Sequence, residues 1–218
     1  FRRVLFRSLV FGHRYDGTYS RLDNSGLNVQ EYTHEIRTFK IADDGLNLSI
    51  TDYSAVNDTA NFRRRDYNLI PQRYANGTEG LTAFTGVFQK GIDIPYLNCI
   101  DIFNNGTYTV RNDFNQNLSQ YHSAVCALYD TVTATQYNLF FGGMSMYYVD
   151  TATNLTVTDS LVPFVQTISC VTRDSSMQYT EYNLPIRMPA LLGTNAYFFP
   201  DLNAPLIKNH YINVSPMQ

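Results

Sequence analysis

The residues able to do chemistry are few. The histidines are His13, His34, His122 and His210; no two stand at i, i+2 or i, i+4, and no HExxH string occurs. Cys99, Cys126 and Cys170 lack CxxC spacing. Zinc needs such spacings to gather its ligands around one point, so no metal site is expected. The cysteines lie in alternating segments and read as core thiols rather than as a disulfide pair. Asp16, Asp43, Asp44 and Asp93 are scattered through polar loops without the EF-hand pattern. Glycines follow apolar segments, but neither GxxxxGK(S/T) nor GxGxxG occurs, so no phosphate loop is expected. No motif calls for a cofactor. The densest charge cluster is Arg63-Arg64-Arg65-Asp66.

The elements that position these residues are strands. The chain has 218 residues, 44% hydrophobic and 16% charged, which suffices for a packed core and excludes a disordered chain. Its net charge of −3 leaves no electrostatic footprint for nucleic acid, and no apolar run reaches the length of a membrane span. Segments alternate with period two, are rich in Tyr, Val, Ile, Thr and Phe, and are broken by Asn, Asp, Gly and Ser. This predicts an all-β protein. Phe39, Ile41, Phe84, Ile100, Ile102, Val125, Phe140, Phe141, Ile168 and Val171 form the expected core.

The pattern repeats. IRTFKIADDGLNLSITDY from Ile36, LNCIDIFNNGTYTVRND from Leu97 and TISCVTRDSSMQYTEYN from Thr167 are each strand, polar turn, strand. Their turns are expected at Asp43–Gly45, Asn104–Gly106 and Asp174–Ser176. A glycine-ended apolar strand precedes each hairpin: LVFGHR at Leu9, AFTGVF at Ala83 and LFFGGM at Leu139. A further strand precedes the later copies, in RRDYNLIPQ at Arg64, QYHSAVCAL at Gln120 and LLGTNAYFF at Leu191. The unit is a four-stranded meander of about fifty residues, the size of a propeller blade.

Tyr121–Val125 followed by Phe140–Gly143 resembles the kelch repeat, whose hydrophobic strand ends in a glycine pair. The strings FGHRYDG, VQEYTHEIRTFKI, NGTEGLTAFTGVFQ and SQYHSAVCALYD are similar to kelch-like propellers of secreted Bacteroidetes proteins, which usually carry a C-terminal sorting domain for type IX secretion. The resemblance covers residues 9–218 and implies a partial kelch-like β-propeller, truncated at both ends. Its blades are expected at about 9–56, 60–115 and 119–185, with a fourth starting near 189. Only Gly142–Gly143 is a full pair, Gly12 and Gly86 stand alone, and Trp is absent, with Tyr53 and Tyr179 in its expected place. Residues 1–8, FRRVLFRS, read as the translation of a short-read sequencing adapter and are excluded from the blade map. Apolar surface is expected on blade 1 and on the stub of blade 4.

In a kelch propeller the innermost strand begins at the mouth of the central channel. Arg64 and Arg65 hold that place in the second blade, Tyr121 and His122 in the third, and Asn195 in the fourth. Such a set could hold a carboxylate or a sugar. A copper-radical oxidase site, with two His and two Tyr on the metal, is not supported by the histidine spacing. The resemblance implies a secreted or cell-surface location. Asp-Ser/Thr-apolar tripeptides at Asp58, Asp130, Asp150 and Asp159 resemble the O-glycosylation acceptor of exported proteins of that group. The favoured function is a non-catalytic binding module for a protein or glycan. The competing one is a carbohydrate-active enzyme of the mutarotase or epimerase type, with an Arg/His/Asn-lined channel.

Overall fold

The computed structural model describes residues 3–16, 29–150, 152–199, 201, 207–208 and 211–215. His210 and the first two residues of the adapter-like octapeptide lie outside them. All regular elements are strands, and no helix among the described residues is long and apolar enough to cross a membrane. The chain divides into two compact units: residues 1–65, 88–93 and 105–107 form the first, and 66–87, 94–104 and 108–218 the second.

The first unit contains β1 (Arg3–Val10), β2 (His13–Asp16), β3 (Val29–Tyr32), β4 (Glu35–Asp43) and β5 (Leu48–Asn57). β1, β4 and β5 form an antiparallel sheet in that order, and β2 pairs with β3. The adapter-like residues join this sheet: β1 pairs with β4 without interruption, from Arg3 opposite Asp43 to Val10 opposite Ile36. A ladder is made by backbone groups, so any chain with suitable alternation can complete one. The β4–β5 turn is closed by Asp44, whose carboxylate accepts the N–H of Leu46 at 2.9 Å and of Asn47 at 2.7 Å.

The second unit begins with β6 (Asn68–Arg73), β7 (Glu79–Phe84), β8 (Cys99–Phe103) and β9 (Tyr108–Arg111), a four-stranded antiparallel meander. Next come β10 (Ala124–Asp130), β11 (Thr135–Phe141), the small hairpin of β12 (Tyr147–Val149) and β13 (Thr156–Thr158), β14 (Thr167–Arg173) and β15 (Tyr179–Arg187). β10, β11, β14 and β15 form a second meander. After β16 (Ile207–Lys208), β17 (Tyr211–Asn213) lies parallel to β10 at Leu128 and Tyr129. The segment from Leu191, expected as a further inner strand, runs as bends and turns through Phe199.

The three expected hairpins are antiparallel and turn where predicted. The third lacks glycine, and Met177 takes the left-handed conformation instead, at φ +66°. The four Asp-Ser/Thr-apolar tripeptides share a geometry: each Asp carboxylate accepts the N–H two residues on, of Ala60, Val132, Ala152 or Leu161. These are Asx turns, which account for the recurrence in local backbone terms.

The core of the second unit is Ile70, Phe84, Cys99, Phe114, Ala127, Tyr129, Phe140, Val171 and Tyr211. Phe84 meets Phe140 edge-on at 5.4 Å. Of the expected core residues, Phe84, Ile100, Ile102, Phe140, Ile168 and Val171 are buried, while Phe39, Ile41, Val125 and Phe141 are half-buried. The core also contains amides that alternation alone would place outside. Gln72 donates to Asn138 at 2.7 Å, Asn138 donates to the Val171 carbonyl at 3.0 Å, and all three residues are buried. Each donor finds an acceptor, which removes most of the cost of burying it. Apolar side chains stand exposed at Leu46, Leu48, Ile50 and Tyr53 in the first unit and at Leu191, Leu192, Tyr197 and Phe199 in the second.

Candidate functional site

The glycine-ended strands share one backbone geometry. Phe11–Gly12 has φ of +54° and +116°, Thr85–Gly86 +53° and +90°, and Gly142–Gly143 +60° and +89°. The glycine pair therefore survives as a conformation where its first glycine is absent. For a non-glycine residue that conformation costs about 1–2 kcal/mol, and local contacts offset the strain. Phe11 stacks on Phe62 at 4.9 Å, and Thr85 donates its hydroxyl to the Gln120 carbonyl at 2.8 Å. At Gly142 no side chain is tolerated: a Cβ there would lie 2.0 Å from the Leu192 carbonyl oxygen. That strand end thus allows close approach of neighbouring backbone.

A second repeated geometry lies ahead of β6, ahead of β10 and in the turns after Leu191. Asp66, His122 and Asn195 occupy equivalent places in the repeat, at φ of +58°, +57° and +56°. They are joined in series. The His122 N–H donates to the Asp66 carbonyl at 2.9 Å, and the Asn195 N–H donates to the His122 carbonyl at 3.1 Å. Asn68 ties the same region together, donating to the Gln120 carbonyl at 2.9 Å and accepting the Ser123 N–H at 3.0 Å. Gln120 then donates to the carbonyls of Gly142 and Thr167 at 2.8 and 2.9 Å and accepts from the Ser169 hydroxyl.

The structure brings three of the expected site residues together in the second unit: Tyr121, His122 and Asn195. The His122 Nε2 lies 3.9 Å from an Asp66 carboxylate oxygen, and both side chains are about one-third exposed. Asn195 is exposed. Tyr121 is buried, and burial together with the Asp66 charge pushes its phenol up to about 12. It therefore acts at neutral pH as a hydrogen-bonding group and not as a base.

Arg64 and Arg65 belong to the first unit. Arg64 is only 1% exposed, and its Nε donates to the Asn61 carbonyl at 2.9 Å. The Arg65 guanidinium lies 5.9 Å from the Phe88 ring. Their neighbour Arg63 donates to the Phe88 carbonyl at 2.7 Å and covers the Tyr32 ring at 4.5 Å. These contacts fasten loop 88–93 to the segment that ends at residue 65.

The cysteines are free and buried. Cys126 and Cys170 both face Leu139, from the two strands that flank β11. Burial pushes both thiols up to about 11, so neither is a ready nucleophile. Among the described residues, no three His, Cys, Asp or Glu side chains gather to hold a metal ion.

A cleft of about 290 Å³ opens at the end of the second meander where β11 stops and β14 begins. Tyr148, Asp150, Asp159, Phe164, Gln166 and Arg187 are among its lining residues. Sequence alone singles out only Asp150 and Asp159, as turn tripeptides, and offers no reason to join the other four to them. The one usable signal is length: residues 142–166 join β11 to β14, whereas residues 85–98 make the same connection in the preceding meander.

No family model, curated protein sequence or solved structure matches this chain.

Proposed function

We propose that the chain is part of a kelch-like propeller that serves, outside the cell, as a non-catalytic binding module for a protein or glycan. The observation carrying this reading is the series Asp66, His122 and Asn195. The repeat holds one backbone conformation at three successive positions while the side chain changes each time. A fixed scaffold with varied, partly exposed polar side chains at one end suits recognition. Tyr121 is buried at that end within range of the Asp66 charge, and Asn195 offers both a donor and an acceptor.

The test is a binding measurement on the purified chain, using an array of neutral and acidic oligosaccharides together with immobilised secreted proteins. The expected result is retention of at least one ligand unchanged by the encounter. The double variant His122→Ala/Asn195→Ala should lose retention of at least one ligand with an unaltered melting temperature. Undiminished retention of every ligand by the double variant overturns the site, and turnover of a retained sugar overturns the non-catalytic reading.

A further inference from the structure

The cleft at the β11–β14 connection has a lining chosen neither by the hairpins nor by the core. β12, the first strand of the inserted β12–β13 hairpin, forms one wall together with Asp150. That hairpin is closed by Asp150, whose N–H donates to the Leu155 carbonyl at 2.9 Å. The Asp150 Oδ1 accepts the N–H groups of Ala152 and Thr153 and the Thr153 hydroxyl. These Thr153 bonds hold the carboxyl below its usual range, with a smaller contribution from Arg187, so Asp150 stays ionised. The other wall is the segment from Asp159 to Gln166. There the Val162 N–H donates to the Asp159 carbonyl at 3.1 Å, and Val162 sits at φ +52°. A β-branched residue rarely adopts that conformation, so the wall is held by its contacts against local preference.

Arg187 enters from the end of β15. The β14–β15 pairing shifts register between Thr167 and Ser169, which places Arg187 opposite Thr167. Such irregularities re-aim a strand end. The guanidinium donates to the Val149 carbonyl at 3.1 Å and so ties β15 to the inserted hairpin. Among the described residues no carboxylate comes within ion-pair distance of it.

Much of the hydrogen-bonding capacity of the lining is open. Asp150 and Asp159 each commit Oδ1 to turn N–H groups, and among the described residues Oδ2 of either accepts nothing. The Gln166 side-chain amide likewise has no hydrogen-bond partner among them. Phe164 stands 50% exposed beside these groups. The cleft therefore combines open acceptors, open donors and one accessible aromatic ring. Two carboxylates against one guanidinium leave it net negative, which disfavours anions. A hydrophobic ligand would leave the polar groups desolvated and unpaired. A polyhydroxylated ring satisfies every part, because each hydroxyl both donates and accepts while an apolar sugar face covers Phe164.

We propose that this cleft binds a neutral saccharide, with Phe164 as the stacking platform, Asp150 and Asp159 as hydroxyl acceptors, and Arg187 and Gln166 as orienting donors. The site shares no residue with Asp66, Tyr121, His122 and Asn195, so it stands or falls separately from the reading above.

The test is a titration of the whole chain, followed by ligand-observed NMR and calorimetry. Methyl glycosides of neutral hexoses and N-acetylhexosamines are compared with the corresponding methyl uronosides. At least one neutral glycoside should bind, and its uronoside at least about tenfold more weakly, the scale of replacing one charge-assisted hydrogen bond by a repulsion. Phe164→Ala and Asp159→Asn should each weaken the neutral glycoside about tenfold or more, while His122→Ala leaves its affinity unchanged. Arg187→Lys, which keeps the charge but not the fork, should lie between wild type and Arg187→Ala. Equal or tighter uronoside binding overturns the proposal, as does unchanged affinity in Phe164→Ala with an unaltered melting temperature. Absence of binding by every neutral glycoside at about 100 mM, well above the millimolar range of weak specific binding, also overturns it. Loss of binding in His122→Ala alone would move the sugar to the Asp66–His122–Asn195 series.

Discussion

The hairpins β4–β5 and β14–β15 are built from the same pattern and meet different fates. Each is an antiparallel pair with an Asp-closed turn and one register irregularity. Yet β14 is buried at all but one residue, whereas its counterpart β4 is buried only at Ile36 and Thr38; of the second strands, β5 is exposed at all but one residue and β15 at five of nine. Phe39 and Ile41 of β4 are half-buried; Ile168 and Val171 of β14 are buried. The hairpin is a local product of turn chemistry and alternation. Burial depends on what lies on either side, and for β14 that includes the amide network through Asn138 and the aromatic packing around Phe140.

The largest expected effect sets these cores against each other. Phe140→Ala removes a fully buried ring and should cost about 3–5 kcal/mol in urea unfolding. Phe39→Ala in β4 should cost less than half as much, because the ring is already partly in water. Equal losses would break the comparison.

A smaller effect concerns glycine. Gly142→Ala places a methyl against the Leu192 carbonyl and should cost roughly 2–5 kcal/mol, since overpacking adds to left-handed strain. Gly45→Ala, in the β4–β5 turn, meets nothing within 4 Å and should cost only about 1–2 kcal/mol of strain. Paired melting curves give the difference directly. Gly45→Ala as damaging as Gly142→Ala would mean that backbone conformation, not close approach, governs both sites.

The smallest expected effect is a pH dependence specific to β15. Glu181 is covered by residues 117–118, and burial raises its carboxyl to about 7 against opposing hydrogen bonds from the Leu118 and Asn117 N–H groups. The folded state therefore holds the proton more tightly than the unfolded chain. The stabilisation is complete below the ordinary carboxyl range and is lost as pH rises through about 7. Partial exposure screens the effect to about 1 kcal/mol or less. Glu181→Gln should flatten stability between about pH 4.5 and 7, the window bounded by the ordinary and the raised carboxyl values. Unchanged pH dependence in that variant removes the distinction between the outer strands.

Much of the fold is legible in the sequence because its causes are local. Asp44-Gly45 and Asn105-Gly106 announce hairpins through side-chain and φ preferences that need no distant partner. Asp174 announces the third turn although its left-handed position is filled by Met177. The candidate site is legible only in part. Tyr121, His122 and Asn195 stand out because they share a place in the repeat. The same logic puts Arg64 beside them, but its guanidinium is buried in the first unit, which charge density in a sequence does not report. The cleft is invisible in the sequence because its groups come from residues 148–187, and neither a motif nor a period joins Asp159 to Arg187.

Period-two alternation, Asx-closed turns and glycine-ended strands were enough by themselves to determine an all-β chain with three hairpins in register. Each depends on φ preference, side-chain to backbone bonds or the two-residue pleat, all of which act within a few residues. Tertiary structure alone decided which strands are covered, that Gln72, Gln120 and Asn138 belong inside, and that Phe11 and Thr85 could stand where glycine is expected. Those outcomes depend on partners far away in the chain: Asn138 lies 66 residues from Gln72, and Gln120 lies 35 from Thr85. A buried amide or a strained φ is tolerated only when such a partner arrives, and no local pattern encodes its arrival.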